Sequence, residues 1–268
     1  MKITIITPTY NSEKTILKSV KSIILQNYKN YEHIIVDNLS KDKTLKLVKA
    51  EYEKVGLLDK LKIISEKDSG ISDAFNKGIK AAAGDIIAIL NSDDFYYNNS
   101  VFGNVAKAFA GSNALFVHGD VYFEDDVYGS NIRRPLLCSI RRSGPYNHPT
   151  MFFKKEVYEK YGLYDTSFKT SMDMELICRL TKEIENFKDK GFYLSGEPLV
   201  FMSSGGVSWT NEFNVVREEK KAVKMHGFWN IEAFIFYSLR GLRVRLKVIL
   251  RKMNMNGFVR SWRKFKWK

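Results

Sequence analysis

Apolar residues fall into two alternating patterns along the first ninety positions. Short continuous runs occur at 2–7 ("KITIIT"), 32–37 ("EHIIVD"), 61–65 ("LKIIS") and 85–90 ("DIIAIL"). Their length and β-branched content predict strands buried on both faces. Between them the apolar positions recur at three- and four-residue spacing. Ile16, Val20, Ile23 and Ile24 give 12–26 one apolar helical face. The same reading predicts helices over 41–55 and 69–84, the last stopped at Gly84 as the residue after the cap. Strand and helix in strict alternation predict an α/β fold with a mainly parallel central sheet covered by helices on both faces.

The regularity changes after residue 100. A helix at 99–111 precedes a strand, turn and strand in "ALFVHGDVYFEDD", a long loop in "RRPLLCSIRRSGPYNHPT", and a strand leading into a short helix in "MFFKKEVYEKYG". "DMELICRLTKEIENF" patterns as an amphipathic helix, "GFYLSGEPLVFMSSGGVS" as two short strands and a glycine-rich loop, and 210–226 as another helix. Ile231, Phe234, Ile235, Leu239, Leu242, Leu246, Ile249 and Met253 then form one stripe along a helix at 230–253. The expected division is 1–226, split at 98/99, followed by an extension at 227–268.

Composition narrows this picture. A chain of 268 residues, 44% hydrophobic and 27% charged, has enough apolar material for one large α/β domain with an appendage. Cys138 and Cys178 form no CxxC and no Cys/His cluster, which argues against a disulfide framework or structural zinc and for a reducing compartment. The N-terminal apolar run is too short for a signal peptide, and no window approaches the roughly 18 apolar residues of a spanning helix. The expectation is a cytoplasmic protein. The net charge of +13 is concentrated at one end, because residues 231–268 hold eleven Lys/Arg against one acid, Glu232.

Candidate chemistry collects where the strands end. In open α/β sheets ligands bind at the carboxyl ends of the strands. Here those ends read "TPTYN", Asp37-Asn38, "SEKDSG" and "NSDD". Asp93 and Asp94 stand side by side after a buried strand, where like charge and desolvation both disfavour ionisation. A divalent cation reverses that logic, since a magnesium-type ion takes one or two carboxylates together with substrate phosphates. An aspartate-rich turn capping the next helix is the bland alternative. No G-x-G-x-x-G follows the first strand and no G-x-x-x-x-G-K occurs, so neither a dinucleotide fingerprint nor a P-loop is present.

The blocks "ITIITPTYN", "HIIVDNLSKDKT", "ISEKDSGISDAFNKGIKAAAGDIIAILNSDD", "NHPTMFFKKEVYEKYGLYD" and "SMDMELICRL" resemble, in order over about residues 1–208, the family 2 inverting glycosyltransferases with the GT-A fold. The chain is most similar to the subgroup that builds bacterial capsule, O-antigen and colanic-acid-type polysaccharides. The resemblance implies that Thr7, Pro8, Tyr10 and Asn11 line the base and ribose of a UDP- or GDP-type donor. It implies that Asp37 meets the base and that Asp68 lies on the base or ribose side. Asp94 then takes a Mn2+ or Mg2+ ion, with Asp93 on ribose or as a second metal contact. Asn91 replaces an aspartate common among relatives. Asp173 matches the base that deprotonates the acceptor hydroxyl; taken alone it also reads as a helix cap, and Met172 stands where many relatives have Glu. Glu175 reads as an exposed helix residue. Lys77 is open between a donor phosphate and a solvated helix face, and His148 between diphosphate, donor sugar, acceptor and a structural role. Asp120 is a candidate for the donor sugar, and Ser208 for a mobile loop over it.

The implied reaction moves a sugar onto a polyprenyl-diphosphate-linked oligosaccharide, with inversion, at the cytoplasmic face of the membrane. The basic, aromatic-rich tail suits an anionic membrane surface best, with nucleic acid and packing on the core as alternatives. Two rivals to this function are a sugar nucleotidyltransferase of similar architecture and a non-catalytic protein that binds membrane or nucleic acid through the tail.

Overall fold

The computed structural model describes residues 1–125, 129–136, 138–203 and 211–252. In chain order the strands are β1 (Ile3–Thr9), β2 (Tyr31–Asp37), β3 (Leu61–Ser65), β4 (Ile86–Ile89), β5 (Phe95–Tyr96), β6 (Phe116–Gly119), β7 (Val121–Asp125), β8 (Gly129–Arg133), β9 (Phe152–Lys154), β10 (Gly191–Leu194) and β11 (Val200–Ser203). The helices are α1 (Ile16–Ile24), α2 (Thr44–Lys54), α3 (Ile71–Ala81), α4 (Val101–Ala110), α5 (Lys155–Tyr161), α6 (Met172–Glu183), α7 (Glu212–Met225) and α8 (Ile231–Lys252). Each predicted helix exists, most of them shorter at both ends; α6 begins one residue early, at Met172, and stops at Glu183. α3 stops at Ala81 rather than at Gly84. Gly84 instead makes the turn into β4, where a Cβ would lie 2.6 Å from Thr4 Oγ1 and 2.8 Å from Lys2 O.

The main sheet has seven strands in the order β10-β6-β9-β4-β1-β2-β3. β1 lies in its interior beside the central β4, parallel to β2 and β4, with Ile6 opposite both Ile34 and Ile89. All seven β1 residues are buried because the strand packs on both faces. Ile3 and Ile5 join Ile23 of α1 and Phe102 and Val105 of α4 on one side. Ile6, Ile34 and Ile87 meet Phe75 and Ile79 of α3 and the α6 residues Leu176 and Ile177 on the other. Each fully buried isoleucine contributes on the order of 1.5–3 kcal/mol of transfer free energy. The one departure from parallel order is β9, which inserts antiparallel between β4 and β6.

A second sheet, β5-β11-β7-β8, hangs from the carboxyl edge of the first. β5 begins at Phe95, directly after Asp94. Phe95 stacks on Phe201 at 4.4 Å and Tyr96 packs edge-on to Phe102, so the aromatics behind the acidic pair anchor it.

α8 packs on α7 through Ala233, Tyr237 and Val244, which are buried. Arg240 pairs with Glu219, and Lys247 with Glu212 at 2.7 Å. The tail helix is therefore docked on the core, and its predicted apolar stripe faces outward, from Ile231 to Ile249. Met253 and the aromatic-basic segment after it lie outside the described residues.

Candidate functional site

The carboxyl ends of β1 to β4 are joined by one web of hydrogen bonds centred on Asp37. Thr9 Oγ1 donates to Asp37 Oδ1 at 3.1 Å, while Ser65 Oγ and Ser40 N donate to Oδ2 at 2.8 and 3.0 Å. Asp68 N donates to Asn38 Oδ1, and Ser12 Oγ lies 2.9 Å from Ser92 Oγ. All but the Ser40–Asp37 bond, which lies within the loop after β2, join two different strand-end segments, so four segments distant in sequence share one rim.

The predicted donor-side residues take different places on this rim. Tyr10 is 60% exposed, which leaves its ring open to a flat ligand. Asp68 is half-buried, its Oδ1 accepts Gly70 N–H at 3.0 Å, and burial raises its carboxyl. Asp37 is fully buried inside the web, so it braces the loops around the opening. Pro8 is also buried. Thr7 points into the interior, where its hydroxyl meets His33 Nε2 at 2.9 Å and His33 Nδ1 meets Tyr52 OH at 2.8 Å. Asn11 has φ 49°, and its side-chain oxygen accepts Lys41 N–H, fixing the loop after β2. Lys77 pairs with Glu66 at 2.9 Å and donates to Lys67 O at 2.7 Å, so it staples the loop between β3 and α3. Thr7, Asn11 and Lys77 thus have structural partners.

Asp94 is buried and Asp93 half-buried beside it. Burial first, and the Asp93 charge second, push the Asp94 carboxyl up to about 8, against the Asn91 amide donating to its Oδ2 at 3.1 Å. Asn91 Oδ1 is buried with no hydrogen-bond donor. The site therefore offers two carboxyl groups and an orphaned amide oxygen. That oxygen set fits a hard divalent cation completed by substrate phosphates. Among the described residues no group of three or more His, Cys, Asp or Glu gathers to hold a metal by protein ligands alone.

Asp173 is half-buried at the second position of α6, and its carboxylate takes no hydrogen bond from the described residues. It is not the cap, because Ser171 holds that position and makes no side-chain cap bond. Antiparallel β9 starts where β4 ends, and this carries His148 to the same edge. His148 Nε2 lies 3.0 Å from Tyr164 OH, and its ring stacks on Phe75. Burial lowers its pKa, opposed by the charge of Asp173. Asp120 is buried and accepts Tyr193 OH at 2.8 Å. Ser208 lies outside the described residues.

Glu175, expected on the surface, is 1% exposed. It pairs with Arg179 at 2.9 Å and with His226 at 3.0 Å, and Arg179 donates on to Leu163 O. The helix face predicted to be solvated is covered by α7. Ser72 and Asn76 were not singled out from sequence. Ser72 Oγ donates to Phe168 O at 2.6 Å, and the Asn76 amide exchanges two bonds with the backbone of Tyr164. Their signal was present as two polar residues four apart on the apolar face of α3.

The fold and this rim define an α/β protein whose acidic loops gather at the carboxyl edge of a sheet. The glycosyl transferase family 2 pattern matches residues 4–175, and the chain belongs to that family. A Methanococcus voltae protein, dolichyl N-acetyl-alpha-D-glucosaminyl phosphate 3-beta-D-2,3-diacetamido-2,3-dideoxy-beta-D-glucuronosyltransferase, is 30% identical over 219 residues, which cover 75% of this chain and 66% of that protein. The Escherichia coli UDP-Glc:alpha-D-GlcNAc-diphosphoundecaprenol beta-1,3-glucosyltransferase WfgD is 32% identical over 119 residues, 44% of this chain and 45% of its own length. The solved mannosyltransferase PcManGT from Pyrobaculum calidifontis, in complex with GDP-Man and Mn2+, superposes with a TM-score of 0.65 at 17% identity, covering 90% of this chain and 69% of that one. This likeness establishes the shared fold.

Proposed function

We propose that the protein transfers a sugar, with inversion, from a UDP- or GDP-type nucleotide sugar to a hydroxyl of a polyprenyl-diphosphate-linked glycan at the cytoplasmic face of a membrane. The observation that carries this reading is the Asp37-centred web, which draws the acidic loops of four strands to one edge. The two relatives named for lipid-linked acceptors support the acceptor class.

Tyr10 and Asp68 bound the nucleotide, and Asp37 holds their loops in register. Asp94, with Asp93 and Asn91 Oδ1, would hold a divalent cation, which when bound stabilises the charge growing on the departing diphosphate. Asp173 receives the proton of the attacking hydroxyl. As the acceptor oxygen bonds to the anomeric carbon, the bond to the diphosphate oxygen breaks from the opposite face. His148, kept neutral by burial, offers a hydrogen bond to acceptor or diphosphate. The division of the chain at 226/227 leaves a catalytic body and a tail helix that meets the membrane.

The test is a panel of nucleotide sugars with polyprenyl-diphosphate-linked acceptors, with and without manganese. Metal-dependent release of nucleoside diphosphate and glycosylated lipid is expected. Asp173→Asn should bind the donor normally and lose about a hundredfold or more in transfer. Pyrophosphate release from a nucleoside triphosphate, or transfer by Asp173→Asn at the wild-type rate, would overturn the reading.

A further inference from the structure

The segment that delivers Asp173 is clamped from two sides. From α3, Ser72 and Asn76 bind the backbone of Phe168 and Tyr164. From α7, one carboxylate takes the backbone N–H of each of the next three residues. Glu218 Oε2 accepts Thr170 N at 2.8 Å, Ser171 N at 3.0 Å and Thr170 Oγ1 at 2.9 Å, and Glu218 Oε1 accepts Lys169 N at 3.0 Å. Lys169 Nζ reaches across to Ser69 O at 2.8 Å, in the loop that carries Asp68. Asp173 follows two residues after this clamp.

We infer that Glu218 is a positioning residue that fixes Asp173 relative to the donor-side loop. This inference rests on the assignment of Asp173 as base. Ser171 supplies no side-chain cap to α6, and its hydroxyl turns instead to Val215 O of α7 at 3.4 Å. The start of the helix is therefore held from outside, by a carboxylate that accepts the N–H groups of Lys169, Thr170 and the N-cap Ser171, the three residues ahead of it. Glu218 is 6% exposed. Burial by itself would raise its carboxyl, but the N–H groups of Lys169, Thr170 and Ser171 and the Thr170 hydroxyl bring it below the ordinary value. A carboxylate with four donors is a strong, directional restraint. The adjacent Glu219 pairs with Arg240 of α8 and accepts none of these N–H groups, so it provides a control for the clamp on the same helix, although burial and, after it, the Asp173 charge raise its carboxyl.

Glu218→Gln tests this. The amide keeps the length but turns one acceptor into a donor facing an N–H. Expected results are a fall of tenfold or more in kcat, donor KM within about twofold, and a displaced acid limb of the kcat–pH profile. Glu219→Gln, which loosens α8 and removes a charge that interacts with Asp173, should leave donor KM and the backbone exchange of 169–171 unchanged. Two further readouts do not depend on turnover. Amide exchange at Lys169, Thr170 and Ser171 should accelerate in Glu218→Gln, and the NMR titration of the Asp173 carboxyl should shift. Unchanged exchange and titration would overturn the inference whether or not the protein transfers sugar. Wild-type kcat in Glu218→Gln, with Asp173→Asn inactive, would also overturn it and leave the base assignment standing. Wild-type kcat in Asp173→Asn would remove the base and the positioning role together.

Discussion

Single residues here answer to burial before they answer to ligand. His33 is fully buried between Thr7 and Tyr52, and burial drives its pKa down to about 3. It stays neutral in the fold, whereas an unfolded chain binds a proton near 6.5. Below 6.5 the unfolded state therefore holds the extra proton, and this contribution to stability falls as pH falls toward 3. Asp94 has the opposite sign in part of the same window, because its folded carboxyl keeps a proton that the unfolded one releases. The measurement is thus a comparison with His33→Gln. Between pH 6.5 and 5, urea unfolding of the wild type should lose about 1.1 kcal/mol per pH unit relative to that variant. Parallel curves would mean that the histidine is not held neutral.

Elements are positioned by close approaches that the hydrophobic pattern does not encode. α3 crosses β1 so tightly that a Cβ on Gly78 would lie 2.3 Å from Ile6 Cγ2. This approach sets α3 low on the sheet and lets Ser72 and Asn76 reach the segment ahead of Asp173. Gly78→Ala should cost about 1–3 kcal/mol in chemical denaturation, as overpacked cores do. It should also weaken transfer more than donor binding, because the shift falls on the acceptor side. An alanine variant with wild-type stability would show that α3 has room to move. The antiparallel insertion of β9 is another decision at this scale, since it alone turns His148 toward the carboxyl edge.

The whole molecule carries a surface that its core does not use. Ile231, Phe234, Ile235, Leu239, Leu242, Leu246 and Ile249 are exposed along α8, with Arg243 and Arg245 exposed beside them. Opposite them, Tyr237 and the Glu219–Arg240 pair fix the helix to α7. No described helix is long and apolar enough to cross a membrane. An apolar stripe edged by arginines fits the interface of an anionic bilayer, with the helix lying in its plane. Serine at Ile235, Leu239 and Leu242 together should release the protein from vesicles containing phosphatidylglycerol and leave its unfolding midpoint unchanged. Wild-type binding should weaken as salt is raised. Equal retention of the triple variant would refute a membrane role for α8.

Much of this was legible in the chain. The apolar runs and helical spacings sufficed for the strand–helix order, because every segment of the first half buries a face and must show its period. The acidic strand ends, the apolar stripe of α8 (though not the side it faces) and the family blocks were legible for the same reason: each is a local pattern. Glu175 was misread, because a carboxylate on a helix looks solvated until another helix covers it. Thr7, Asn11 and Lys77 could not be separated from ligand contacts, since their partners His33, Lys41 and Glu66 come from other segments. Glu218 was invisible, lying on a helix about 45 residues beyond Asp173. The sequence by itself determined which segments are strands and helices and where acid, apolar and basic residues concentrate, because burial and period act on neighbours. Only the tertiary structure decided which polar groups meet, because a hydrogen bond depends on a distance of about 3 Å between residues whose separation along the chain carries no such information.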